Sequence, residues 1–223
     1  MRLGNSISKN ILAFYAKPTG DANHRYRSWE HCFRHFSLLT KVSHDQTDIA
    51  ALHLAFYLAS WGMYRGSSDL LWKDYKIHHK AVQILVHRRY THLRHLEFSD
   101  PSQDADIADQ ILKLSKRLRE VYRQEITSVD GKETDFKATD TLITKILLGT
   151  LGCAPACDLY FITGFRKYDQ YPGFEKDFLY STFRFCRQHR KELKCAQDKI
   201  WEQSRLRYPI MKLVDMYFWQ RGH

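Results

Sequence analysis

Glycine and proline are scarce in this chain, 10 and 5 of 223 residues, which leaves too few tight turns for an all-β sandwich or barrel. Cysteine is equally thin. Cys32, Cys153, Cys157, Cys186 and Cys195 form an odd set with no CxxC pair. Neither a disulfide framework nor a four-cysteine zinc site is expected, but ordinary buried thiols in a reducing compartment. No run approaches the roughly 20 apolar residues of a membrane span. The opening MRLGNSISKNILAFYAK holds only ILAFYA as an apolar stretch, short of a signal-peptide core. The expectation is a cytoplasmic protein with no membrane partner. Gly-rich phosphate loops and a GxSxG elbow are also missing, which removes the easiest nucleotide-dependent and serine-hydrolase classes. No cofactor is expected.

What the chain has in excess is positive charge: 35 Lys and Arg against 25 Asp and Glu, a net charge of +10 with a further 12 His. An apolar content of 43% with 27% charged residues describes a globular chain with a real core. The length suits a single domain over 1–223, with room for two lobes. A basic balance of this size points to a polyanionic partner.

Helical periodicity dominates. Ile107, Ile111, Leu114, Leu118, Val121, Tyr122 and Ile126 recur at three- and four-residue steps, so a helix is predicted over about 106–127, followed by a turn at Asp130-Gly131. QTDIAALHLAFYLASWGMY is apolar almost all round, which predicts a helix at the centre of the fold. Further helices are predicted at about 7–16, 27–42, 76–96, 139–149, 156–168 and 174–206, and Pro209 opens a last one. No stretch alternates long enough for a strand. The fold class is therefore all-α, a compact multi-helix bundle.

The basic excess gathers locally. Residues 75–96 contain no acid, five Lys or Arg and five His. On one helix Lys76, Lys80, Gln83, His87, Tyr90 and Arg94 would share a side, a ridge able to track phosphates. A second cluster holds Arg184, Arg187, Arg190, Lys191 and Lys194, and a third opens at HRYRSWEHCFRHF. Cations interleaved with aromatic rings suit a nucleic acid, charge for its backbone and rings for unstacked bases. The expected partner is nucleic acid, with DNA preferred. His31 and His35 have the i,i+4 spacing of two metal ligands. No third ligand is fixed by spacing, and no metal is expected.

Residues 139–165, TDTLITKILLGTLGCAPACDLYFITGF, combine a helix ending at Gly149 and Gly152 with a restart near Pro155 and Asp158 in its first turn. Such glycines let amides approach a phosphate. The order of glycines, Pro155, Ala156, Cys157 and Asp158 resembles the helix-hairpin-helix family of DNA glycosylases over about 25 residues. That resemblance implies an all-α enzyme that hydrolyses an N-glycosidic bond in base-excision repair. Asp158 would stabilise positive charge on the sugar, and Trp61, Tyr64, Tyr160 or Phe161 would stack an extruded base. The family's lysine nucleophile follows its glycines whereas Lys145 precedes these, so the aspartate alone is carried over. Arg184 and His189 resemble instead the R-x4-6-H motif of HEPN ribonucleases, which cleave RNA without metal. A non-catalytic helical binding protein is the third alternative.

Overall fold

Two stretches, Leu142 to Thr150 and Ile210 to Trp219, are buried at every residue. They are the centre of the molecule, and the rest of the chain is wrapped on them. A computed structural model describes residues 6–40, 42–66 and 68–223. Among them are the helices α1 (Ile7–Thr19), α2 (Arg27–Leu38), α3 (His44–Ser60), α4 (His79–Leu85), α5 (Asp104–Glu125), α6 (Asp140–Thr150), α7 (Leu159–Phe165), α8 (Lys176–Gln188), α9 (Arg190–Ser204) and α10 (Ile210–Gly222). Short 3₁₀ turns punctuate them. The class is all-α, as the periodicity predicts. No helix among the described residues is long and apolar enough to cross a membrane.

Local chemistry sets several boundaries. Ser43 and Gln46 form a reciprocal capping box that starts α3. Glu192 reaches across from α9 to accept from Ser6 Oγ and Ser8 N, closing the amino end of α1. After α5 the chain reverses at Asp130 and Gly131, with φ of 50° and 73°. This pair of left-handed residues is what a two-residue hairpin turn demands. The strands it joins, β1 (Ser128–Val129) and β2 (Lys132–Glu133), are two residues each, too short to show any alternation in the sequence.

Three expectations are corrected and a fourth is not confirmed. The helix predicted over 76–96 is three pieces: a 3₁₀ turn at Tyr75–His78, then α4, then a 3₁₀ stretch at Arg88–His95. The break falls at His87, whose backbone is extended and whose ring nitrogen accepts from Arg89 N. The helix predicted over 174–206 is interrupted at His189, where the backbone leaves helical angles and the ring packs on Phe185. Helix α3 buries Ala50, Ala51, Leu54, Tyr57 and Leu58 but leaves Ile49, Leu52 and Phe56 exposed, so it borders the core and does not centre it. Finally, no helix-hairpin-helix element is confirmed. Helix α6 ends at Thr150, α7 starts only at Leu159, and the intervening segment is non-helical and buried through Cys157.

Helices α7 and α10 approach at backbone distance. A Cβ on Gly164 would run into the carbonyl of Phe218, and one on Gly222 into that of Tyr160. Elsewhere a polar line runs inward from half-buried Tyr64 to α5: Tyr64 Oη lies 2.7 Å from His78 Nε2, and His78 Nδ1 lies 2.6 Å from Tyr122 Oη. Burial holds the His78 imidazole neutral, with its pKa pushed down to about 3 from 6.5.

These contacts have two measurable consequences. Gly164→Ala forces main chain apart and should destabilise the protein by about 1–3 kcal/mol in urea unfolding. Because folding excludes a proton from His78 between pH 6.5 and about 3, its contribution is complete above 6.5 and is lost as pH falls through that window. The slope should approach about 1.4 kcal/mol per pH unit, and His78→Gln should flatten it.

Candidate functional site

The interruption at His87 determines where the next cation goes. In the 3₁₀ stretch Arg94 turns inward and is 6% exposed. Its Nη1 donates to Leu39 O at 3.0 Å, while Nε and Nη2 are buried with no partner among the described residues. A guanidinium stays charged even where burial lowers its pKa, as it does here. An uncompensated buried cation costs free energy that an arriving anion would recover.

Arg94 lies in the wall of a cleft of about 320 Å³ between the end of α2, the 94–97 segment, α9 and residues 205–210. Arg34, Arg205, Arg207 and His95 line it, and Glu97 is the one acid in the lining, 3.8 Å from Arg207. Trp201 and Leu38 also line it, 44% and 77% exposed. Arg205 is placed by its left-handed backbone, φ 53°, which ends α9. The wall beyond is fixed by Gln197, whose Nε2 donates to Tyr208 O at 2.6 Å and whose Oε1 is buried without a partner among the described residues. A second cleft of about 520 Å³ shares Glu97, Arg207 and Ile210 with the first and adds Arg190, Lys191 and Lys194. The two clefts meet at these three residues, one of them the acid Glu97.

The predicted ridge divides. Lys80, Gln83, His87 and the buried Tyr90 come together in the lining of a separate cleft of about 450 Å³ that also holds Arg89, Arg117 and Glu120; Lys80 pairs with Glu125 at 2.5 Å, Lys76 is exposed, and Arg94 alone reaches the first cleft. Arg184 pairs with Asp169 at 2.7 Å, and Arg187 grips Asp104 through two 2.8 Å bonds. Gly149 lies against the ring of Tyr57, and Gly152, with φ 64°, against Pro209 and Phe33. Both glycines are buried, and Gly152 N donates to Leu147 O. Their amides face protein. Arg34 belongs to the third basic cluster predicted from the sequence, at HRYRSWEHCFRHF, whereas Trp201, Arg205 and Arg207 are passed over. The usable signal is a pair of arginines directly after a helix and before Pro209.

Asp158 has a different setting. It caps α7, with Oδ1 accepting from Phe161 N at 3.0 Å, and its Oδ2 accepts from Lys145 Nζ at 3.1 Å. A second pair, Lys212 and Asp215, meets at 2.8 Å on α10 with both side chains buried. Asp215 Oδ1 also accepts from Ala156 N. Burial pushes Asp215 upward in pKa, against the pull of Lys212. Both ammonium groups lie over the Trp61 ring, at 5.1 and 5.2 Å from its centre, and Lys212 also over Phe14 and Trp29. Every oxygen of the two carboxylates is engaged inside the protein.

The remaining candidates separate. His35 stacks on His53 with ring centres 4.2 Å apart, and burial lowers both pKa values. His53 is thus a half-buried stacking residue. No group of three or more His, Cys, Asp or Glu suited to a metal occurs among the described residues. Arg184 is held on Asp169 while His189 packs on Phe185. Cys32, Cys153, Cys157 and Cys186 are buried, and burial raises each thiol's pKa; Cys195 is exposed. Comparison with protein-family models, with curated proteins and with solved structures found no match to this chain.

Lys212→Met leaves Asp215 buried with no ammonium partner. It should cost about 3–5 kcal/mol in urea unfolding, whereas Lys80→Met, on the exposed pair with Glu125, should cost less than about 1 kcal/mol.

Proposed function

We propose that this protein binds single-stranded nucleic acid along the path formed by Arg34, Arg94, Arg205 and Arg207 and continued by Arg190, Lys191 and Lys194. The observation that carries this reading is Arg94, a buried cation with two unpartnered donors in the wall of a cleft whose lining holds a single acid. The path has what a strand needs: cations for successive phosphates, and Trp201 and Leu38 at the surface for unstacked bases. Carboxylates already hold Lys80, Arg184 and Arg187, and on the path itself Asp198 holds Lys194 at 2.7 Å and Glu97 lies 3.8 Å from Arg207, so Arg34, Arg94, Arg190, Lys191 and Arg205 are the path cations without a carboxylate partner among the described residues.

The reading is one of binding. Asp158, the residue that N-glycosidic hydrolysis would require, has one oxygen on Phe161 N and the other on Lys145. In this reading Asp158 serves as the cap of α7 and the partner of Lys145. Arg184, which the ribonuclease alternative would need free, is likewise held by Asp169.

Fluorescence anisotropy with a labelled short oligonucleotide tests the proposal. Affinity should fall with salt, with a slope of log K on log salt of about −3, as expected for four or five neutralised phosphates on a single strand. Arg205→Ala with Arg207→Ala should reduce that slope by about 1 to 2, and Trp201→Ala should weaken binding by about 1–3 kcal/mol. Absence of binding at low salt, or variants that leave both slope and affinity unchanged, would overturn the reading.

A further inference from the structure

Within this path the Arg94 pocket differs from the remainder, and we infer that it receives a terminal phosphate monoester, the phosphorylated end of the bound strand. The inference rests on the strand-binding reading and adds which part of the strand occupies the pocket.

The guanidinium's own geometry comes first. Nη1 is spent on Leu39 O, which leaves Nε and Nη2. Those two donors share one edge of the planar group, the parallel fork that matches two oxygens of a phosphate; both are buried, so the anion reaches them only as the cleft wall shifts to admit it. Depth points the same way. Arg94 is 6% exposed, and the buried residues Phe33, Gln197 and Tyr208 line the cleft with it. An internal phosphodiester must have chain entering and leaving on both sides, which suits the exposed cations Arg190 and Lys191. A chain end needs only one way in.

Size and charge agree. At about 320 Å³ the cleft lies at the lower limit of small-ligand sites, room for about one nucleotide unit. A monoester carries close to two negative charges at neutral pH where a diester carries one. Arg34, Arg94 and Arg205 have no carboxylate partner among the described residues; Arg34 is held only by Ser204 O at 3.3 Å. That local excess suits the more highly charged group. Trp201, exposed at the mouth, stands where the terminal base can stack.

The test compares one oligonucleotide sequence in three forms, 5′-phosphorylated, 3′-phosphorylated and unphosphorylated at both ends, by anisotropy at one salt concentration. A free nucleoside monophosphate serves as competitor. The expected result is that one phosphorylated form binds at least about tenfold more tightly than the unphosphorylated form. Arg94→Gln should weaken the phosphorylated form far more than the unphosphorylated one, bringing the ratio of their affinities to about one. Because Arg94 is buried and its replacement can disturb folding, Arg34→Ala at the exposed rim provides the second variant and should reduce the advantage at least threefold. Equal affinity for all three forms overturns the inference and leaves the strand-binding reading standing; failure of every form to bind overturns both. Competition by the free nucleotide at the oligonucleotide's own affinity overturns the strand end in favour of a free phosphate monoester.

Discussion

Two ammonium groups buried against one tryptophan set the arrangement of this fold. Lys145 comes from α6 and Lys212 from α10, and both lie over Trp61 just past the end of α3. A charge in that position is tolerated only with a partner. Asp158 and Asp215 supply the partners, and each also holds backbone, Asp158 by capping α7 and Asp215 by accepting from Ala156 N. The non-helical segment between α6 and α7 is thereby tied at both ends of the cluster. Rotating α10 by one residue would carry Lys212 and Asp215 away from these partners, so the cluster selects a helix register as well as a contact. Gly164 and Gly222 then allow α7 to lie directly on α10.

The cleft inherits its shape from that centre. Helix α10 begins at Pro209, which packs on Gly152, and the residue before it, Tyr208, donates to Glu30 at 2.6 Å and accepts from Gln197. Residues 205–210 are consequently fixed as one wall. Arg205 and Arg207 project from a backbone that has little left to order when a ligand arrives, which is the energetic advantage of a preformed site. The opposite wall depends on an interruption. Had residues 76–96 formed one helix, Arg94 would stand among surface cations; the bend at His87 turns it inside.

The helices are legible in the sequence, because the apolar period of α5, the apolar run of α3 and Pro209 ahead of α10 are local signals. Breaks caused by tertiary packing are not. His189 and His87 interrupt helices without glycine or proline, and nothing in the local pattern marks them. Charge misleads in a specific way. A basic count treats every Lys and Arg as surface, yet Lys145 and Lys212 are internal, and Arg184 and Arg187 are engaged by Asp169 and Asp104, which lie 15 and 83 residues away in the chain. Asp158 stands out in the sequence as unusual, and it is. Its partner Lys145 precedes it by 13 residues, a separation at which no spacing rule operates.

The central claim, that the preformed basic path is where nucleic acid binds, is tested most directly by hydrogen–deuterium exchange with and without a saturating single-stranded oligonucleotide. Protection should appear in the segments around 34–39, 94–97 and 190–210, with 149–165 unchanged. Protection centred on 149–165, with the cleft segments exchanging as they do in the free protein, would contradict the account.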